Sequence, residues 1–90
     1  MYYYVYMLKC ITPTFKKTYV GYTNNLVKRL KKHNNSKGAK STKGFKCQII
    51  YKKKFLNKSK AMSFEYNLKK NRKERLKILN SNKVIKQYSE

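Results

Sequence analysis

The sequence predicts an α+β domain, and three observations carry that prediction. Two short aromatic and β-branched runs lie near the N-terminus with a Thr-Pro pair between them, as a hairpin requires. Two later segments, and a shorter third, repeat apolar residues at helical spacing. Between the first and second of these lies a lone third run with strand character. Ninety residues suffice for one domain with one modest core, over about residues 2–80 with a tail at 81–90.

The first strand is expected over residues 2–9, rich in Tyr, Val and Met and free of breakers. Its period of two puts Tyr2, Tyr4 and Tyr6 on one face and Tyr3, Val5 and Met7 on the other. Thr12-Pro13 marks the turn, and Thr18 to Tyr22 returns. A hairpin centred near Thr12-Pro13 sets Tyr6 roughly opposite Tyr19, with room for a bulge in the loop. Thr23 or Asn24 can cap the next helix. Leu26, Val27 and Leu30 form its apolar stripe, bordered on one side by Arg29 and His33, with Lys28, Lys31 and Lys32 on wetter faces. Residues 34–44 read as a polar loop with one short helical turn at Ala39–Thr42. Phe45 to Lys54 reads as a third strand. Ser59 is a candidate cap for a second helix over Lys60 to Arg72, with Ala61, Phe64 and Leu68 inward. A last short helix spans Lys73–Leu79.

Lys and Arg number 24 against three acids, a formal charge of +21, and the acids are Glu65, Glu74 and Glu90. So basic a surface repels itself unless an anion neutralises it, and nucleic acid is the anion this implies. The scarcity of carboxylates argues against a two-metal nuclease, whose paired cations need several of them. A single Mg²⁺ or Mn²⁺ with few protein ligands is compatible, since phosphate and water complete its shell. Two cysteines without a C-x-x-C motif and one histidine argue against structural zinc. Two reduced thiols in an intracellular, unsecreted protein is the simplest reading, with a disulfide as the alternative. No apolar run is long enough to span a membrane, and no basic amphipathic helix invites one to its surface.

Four residue types could carry chemistry. Glu65 falls within the apolar stripe of its helix, about 40° from Ala61. A carboxylate there needs a cation, either a lysine or a metal. Arg29 is one of only three arginines in a lysine-rich chain. Its planar fork suits a phosphate that gains charge in a transition state, although a plain surface contact would also use it. His33, the only histidine, can pass a proton near neutral pH or can simply cap a helix end. The nine tyrosines are mostly core or stacking surface, and a phenol serves as a base only where cations such as Lys9 or a bound metal stabilise its anion.

Tyr4-Val5-Tyr6, Tyr19-Val20-Gly21, Arg29, His33 and Glu65 resemble the GIY-YIG nuclease pattern in order and approximate spacing. Gly38 to Gly44, and Ala61 leading to Phe64-Glu65, are similar to one branch of that superfamily. It holds small stand-alone bacterial members and the eukaryotic subunit that cuts branched DNA with a scaffold partner. The likeness covers about residues 2–72. Tyr4 stands where the name motif has its first Gly, and the zinc module that meets the scaffold is missing, so a protein partner is left open.

The resemblance implies a small three-stranded antiparallel sheet flanked by helices, and one-metal hydrolysis of DNA. Tyr6, alone or with Tyr19, would take a proton from the attacking water. Arg29 would hold the scissile phosphate, and His33 would assist proton transfer or the hydrogen-bond network. Glu65 would bind one Mg²⁺ or Mn²⁺, and either Asn71 or Asn80 could stand in for an Asn that some members use. Lys9, Lys28, Lys32, Lys37, Lys40, Lys43 and Lys46 would meet the flanking backbone without reading sequence. Branched or flapped DNA is the expected substrate, in repair or recombination. The competing expectation is a non-catalytic nucleic-acid binder of the same fold.

Overall fold

The computed structural model describes residues 2–34 and 44–81. Its elements run β1 (Tyr3–Ile11), β2 (Lys16–Thr23), α1 (Leu26–Asn34), β3 (Lys46–Phe55), α2 (Lys58–Lys70) and α3 (Arg72–Asn80). The sheet is three-stranded and antiparallel with order β2-β1-β3, so the fold is the α+β architecture that the sequence predicts. The proposed helical turn at Ala39–Thr42 and residues Lys37, Lys40 and Lys43 lie outside the described residues.

The central strand explains the layering. Val5, Tyr6, Met7 and Leu8 are consecutive and all essentially buried, so β1 needs cover on both faces. On one face Tyr6, Leu8 and Cys10 pack with Cys47, Ile49 and the α1 residues Leu26 and Leu30. On the other, Val5, Met7, Val20 and Ile50 pack with Ala61 and Leu68 of α2, and Ile78 and Leu79 of α3 close that layer. The expected alternation of Tyr4 and Tyr6 against Tyr3, Val5 and Met7 holds.

Several local expectations need correction. Tyr6 pairs with Gly21 and Tyr19 with Leu8, because the turn is Thr12–Phe15, closed by reciprocal backbone bonds between its ends. The two-residue slip keeps every side chain on its expected face. The bulge lies between β1 and β3, where the register jumps across Met7/Leu8 and leaves Ile50 extra. That extra residue lets Ile49 join one core layer and Ile50 the other. The cap of α1 is Asn25, whose side-chain oxygen accepts from the Lys28 N–H, while Thr23 holds the turn before it. Asn57, not Ser59, caps α2. Val27 is 48% exposed, and the third inward residue of α1 is His33. Cys10 and Cys47 are buried free thiols facing each other across β1 and β3. Among the described residues no helix is long and apolar enough to cross a membrane.

Candidate nuclease site

Tyr6 stands on the central strand with its ring under α1, and only 1% of it is exposed. Directly across on β2 is Gly21, and the space above that glycine belongs to the phenol. A Cβ there would sit 2.6 Å from the Tyr6 hydroxyl and 3.0 Å from the Tyr19 ring. Glycine is therefore required by close approach rather than by backbone conformation. A glycine inside a strand already signals such an approach in the sequence.

Helix α1 brings two groups onto the phenol. The Arg29 Nε–H donates to the Tyr6 hydroxyl at 3.2 Å, and His33 Nε2 lies 3.0 Å from the same oxygen. The i, i+4 spacing on a helix puts both on one side, one turn apart. Tyr19 completes the group, its ring centroid 6.3 Å from that of Tyr6 and 4.9 Å from that of His33. Four of the five residues expected to act together thus form one cluster.

Burial decides their charge states. Desolvation pushes the Tyr6 pKa up to about 12, against the Arg29 hydrogen bond and charge, which lower it. The neighbouring cation therefore does not make Tyr6 an easy base, contrary to the expectation from composition. Lys9 is no help, because the pleat turns it to the opposite face of β1 and leaves Arg29 as the cation at the phenol. His33 is fully buried, and burial, then the charge of Arg29, lowers its pKa to about 4. It is neutral at physiological pH, and its Nε2 stands within hydrogen-bonding distance of the Tyr6 proton. The Tyr6 phenol, ahead of Tyr19, holds the Arg29 pKa above its ordinary value.

Glu65 comes from α2, whose core residues cover the other face of the sheet. Its side chain is 15% exposed and pairs with Lys69 at 3.4 Å, one helical turn on. Its charge is also felt at Tyr6, where it adds to the upward pressure on the phenol. The i, i+4 spacing of Glu65 and Lys69 was legible in the sequence, but the lysine was not singled out there. Among the described residues no cluster of three or more His, Cys, Asp or Glu could cage a metal. The donor set is one carboxylate, which fits an ion that keeps most of its ligands as water and phosphate oxygen. Asn71 uses its side-chain oxygen to accept from the Glu74 N–H and cap α3. Asn80 is the last residue of that helix.

A groove of about 240 Å³ opens beside Arg29, lined by Tyr22, Thr23, Asn24, Asn25, Lys28 and Lys32. The predicted contacts Lys28 and Lys32 therefore flank the Arg29 end of the cluster. Lys46 is exposed at the start of β3.

Residues 2–87 match the GIY-YIG catalytic domain. The chain is 47% identical over 78 residues to a UPF0213 protein of Oceanobacillus iheyensis, spanning 84% of this chain and 87% of the relative. It is 43% identical over 83 residues to a UPF0213 protein of Clostridium perfringens, spanning 90% and 86%. The solution NMR structure of a UPF0213 protein from Bacillus halodurans superposes with a TM-score of 0.52 at 33% identity, covering 92% of this chain and 87% of that one. A buried Tyr–His–Arg cluster, a glycine-backed phenol and these matches lead to one conclusion: the chain belongs to the GIY-YIG catalytic-domain family, a nuclease family acting on DNA.

Proposed function

We propose that this protein is a metal-dependent DNA endonuclease that hydrolyses phosphodiester bonds and selects branched or flapped DNA by structure rather than by sequence. The observation that carries the proposal is the Tyr6 hydroxyl bonded at once by Arg29 Nε and His33 Nε2. Deprotonating a phenol of pKa about 12 near pH 7 costs about 7 kcal/mol, so Tyr6 is a poor base by itself. A neutral imidazole on the same oxygen lowers that cost to about 4 kcal/mol, that of placing the proton on His33 instead. As water attacks phosphorus, its proton passes to the Tyr6 oxygen while the Tyr6 proton passes to His33 Nε2, and no free phenolate accumulates. The Nε–H of Arg29 orients the phenol, Tyr19 also bonds to the guanidinium, and the remaining N–H groups would serve the phosphoryl oxygens as their charge grows. Tyr19 packs on His33 and Tyr6 and fixes their rings. Glu65 would hold the Mg²⁺ or Mn²⁺, and a bound cation supplies positive charge for the leaving oxygen. The P–O bond to the leaving oxygen breaks, that oxygen takes a proton from solvent water, and His33 returns its proton to solvent through Tyr6.

Structure selectivity rests on two features. The positive charge is spread broadly, which gives phosphate attraction without base reading. Each described helix packs against the sheet, and none stands clear of the domain as a separate reader of a major groove. The test compares wild type, Glu65→Ala and Arg29→Ala on junction, flap and linear DNA with Mg²⁺ or Mn²⁺. The expected result is cleavage by wild type, strongest on branched substrates, and its loss in both variants. Equal cleavage by all three, or none by any, overturns the proposal. Tight binding without cleavage, unaltered by Glu65→Ala, would instead assign a non-catalytic binder, for which the Lys69–Glu65 pair would be purely structural.

A further inference from the structure

We propose that the outer edge of β2 and the facing side of α3 form a track for a single DNA strand leaving the catalytic cluster. This deepens the nuclease reading and rests on it for the meaning of the end at which the track begins. Two concavities share Thr18 and Arg75 and so form one groove. The first, of about 250 Å³, is lined by Thr18, Tyr19, Val20, Lys69 and Arg75, and therefore starts at a member of the cluster. The second, of about 290 Å³, adds Lys16, Lys17, Arg72, Leu76 and Leu79.

The lining has five cations and no acid, and it contains two of the three arginines in the chain. Arg75 is partly committed, since its guanidinium donates to the Leu68 and Lys69 carbonyls at the end of α2. Arg72, Lys16, Lys17 and Lys69 rim the groove around it. Among the described residues nothing pairs with the outer edge of β2, so unpaired backbone N–H and C=O groups border this space. From Tyr19 to Lys16 the strand runs about 10 Å, room for about two or three nucleotides.

Two apolar features favour a single strand over a duplex. Leu76 and Leu79 line the groove, and the phosphate exterior of a duplex offers them nothing, whereas unpaired bases and sugars do. At the far end Lys17 lies 4.5 Å from the centre of the Phe45 ring, and Phe15 meets Phe45 edge-on while staying 59% exposed. Neither ring lines the groove; they lie beyond Lys17, which does, and a cationic groove followed by an exposed ring is the combination that holds unpaired strands through phosphate contact and stacking. The groove opens on the β2 side of the cluster, while Lys28 and Lys32 line a separate groove on α1. A branched substrate could thus send one arm along each.

Binding of the full chain to a labelled oligonucleotide of about 12 nucleotides, and to a blunt duplex, is measured by fluorescence anisotropy in chelator so that no cleavage occurs. Lys16→Glu/Arg72→Glu is expected to weaken single-strand binding at least about tenfold and to reduce its salt slope by about 1.4. Duplex binding is expected to change less than about threefold. Phe15→Ala is expected to weaken single-strand binding about tenfold with the salt slope unchanged. Single-strand affinity within about twofold of wild type in the double variant, or equal losses on both substrates, overturns the proposal. Circular dichroism checks folding, and Lys16→Gln/Arg72→Gln replaces the reversal should it fail to fold. Because cleavage is not read, failure of the Glu65→Ala test would remove the nuclease reading without altering this result.

Discussion

Gly21→Ala is a small change with a large expected effect. The added Cβ would stand 2.6 Å from the Tyr6 hydroxyl oxygen, 2.9 Å from its Cζ and 3.0 Å from the Tyr19 ring. Reaching an ordinary contact of 3.4 Å requires the phenol to shift by about 0.8 Å. Tyr6 has no room for that, being buried under α1 and bonded at 3.0 and 3.2 Å to His33 and Arg29. Overpacking of this kind costs about 1–3 kcal/mol, and each kcal/mol lowers the melting temperature of so small a domain by about 4–8 °C. A displacement near 1 Å in a catalytic group costs about 100-fold in rate. The assays are thermal unfolding by circular dichroism and cleavage of a flap substrate under single-turnover conditions. Tyr6→Phe removes the oxygen at 2.6 Å, so Gly21→Ala/Tyr6→Phe should be more stable than the sum of the single changes predicts, by at least about 1 kcal/mol. Activity should not return. Additivity within about 0.5 kcal/mol, or a Gly21→Ala protein with wild-type melting and cleavage, would refute the reasoning.

Stability should fall on acidification because of His33. Its folded pKa of about 4 lies below the ordinary 6.5, so between these values the unfolded chain binds the proton and the native one does not. The native state therefore loses up to about 3 kcal/mol as the pH drops through that window, and none of this loss occurs above it. Denaturant titrations of His33→Gln should show a flatter dependence, and an unchanged slope would remove His33 as the cause. Arg29→Lys keeps the charge but loses the fork and the Nε–H bond to Tyr6. Its cleavage rate should fall about 100- to 1,000-fold with DNA affinity nearly unchanged, and a rate within about threefold of wild type would contradict the assigned role. Asn71→Ala should cost about 1 kcal/mol through loss of the α3 cap, read as a lower melting temperature. Its cleavage rate should stay within about threefold; a far greater loss would mean that Asn71 belongs to the reacting site.

Local rules placed the elements well and their ends less well. The caps of both main helices, Asn25 and Asn57, lie one or two residues from the hydroxyl and amide residues that the sequence suggests, Thr23 or Asn24 and Ser59. Neighbouring Thr, Ser and Asn residues offer nearly equivalent oxygens, and which is used depends on where the strand before it ends. The Tyr6 to Tyr19 register was off by two because Thr12-Pro13 begins the turn instead of centring it. Val27 and His33 exchanged their expected roles on α1, since an apolar count cannot tell which side of a helix a sheet will cover.

The candidate set of Tyr, Arg, His and Glu came from the resemblance to the GIY-YIG pattern. The order of strands and helices, the separation of the two faces of β1 and the polyanion-seeking charge were all written in one dimension, because each follows from spacing along the chain or from composition. The charge states were not. That Tyr6 stays a phenol and His33 an imidazole follows from burial of both, and burial is a property of the packed molecule. Likewise, only packing sets the Tyr6 ring over Gly21, Lys69 against Glu65, and the edge of β2 beside the arginines of α3. Distances between residues far apart in sequence come into being when the sheet and helices close on one another, and it is at those distances that desolvation and hydrogen bonding act.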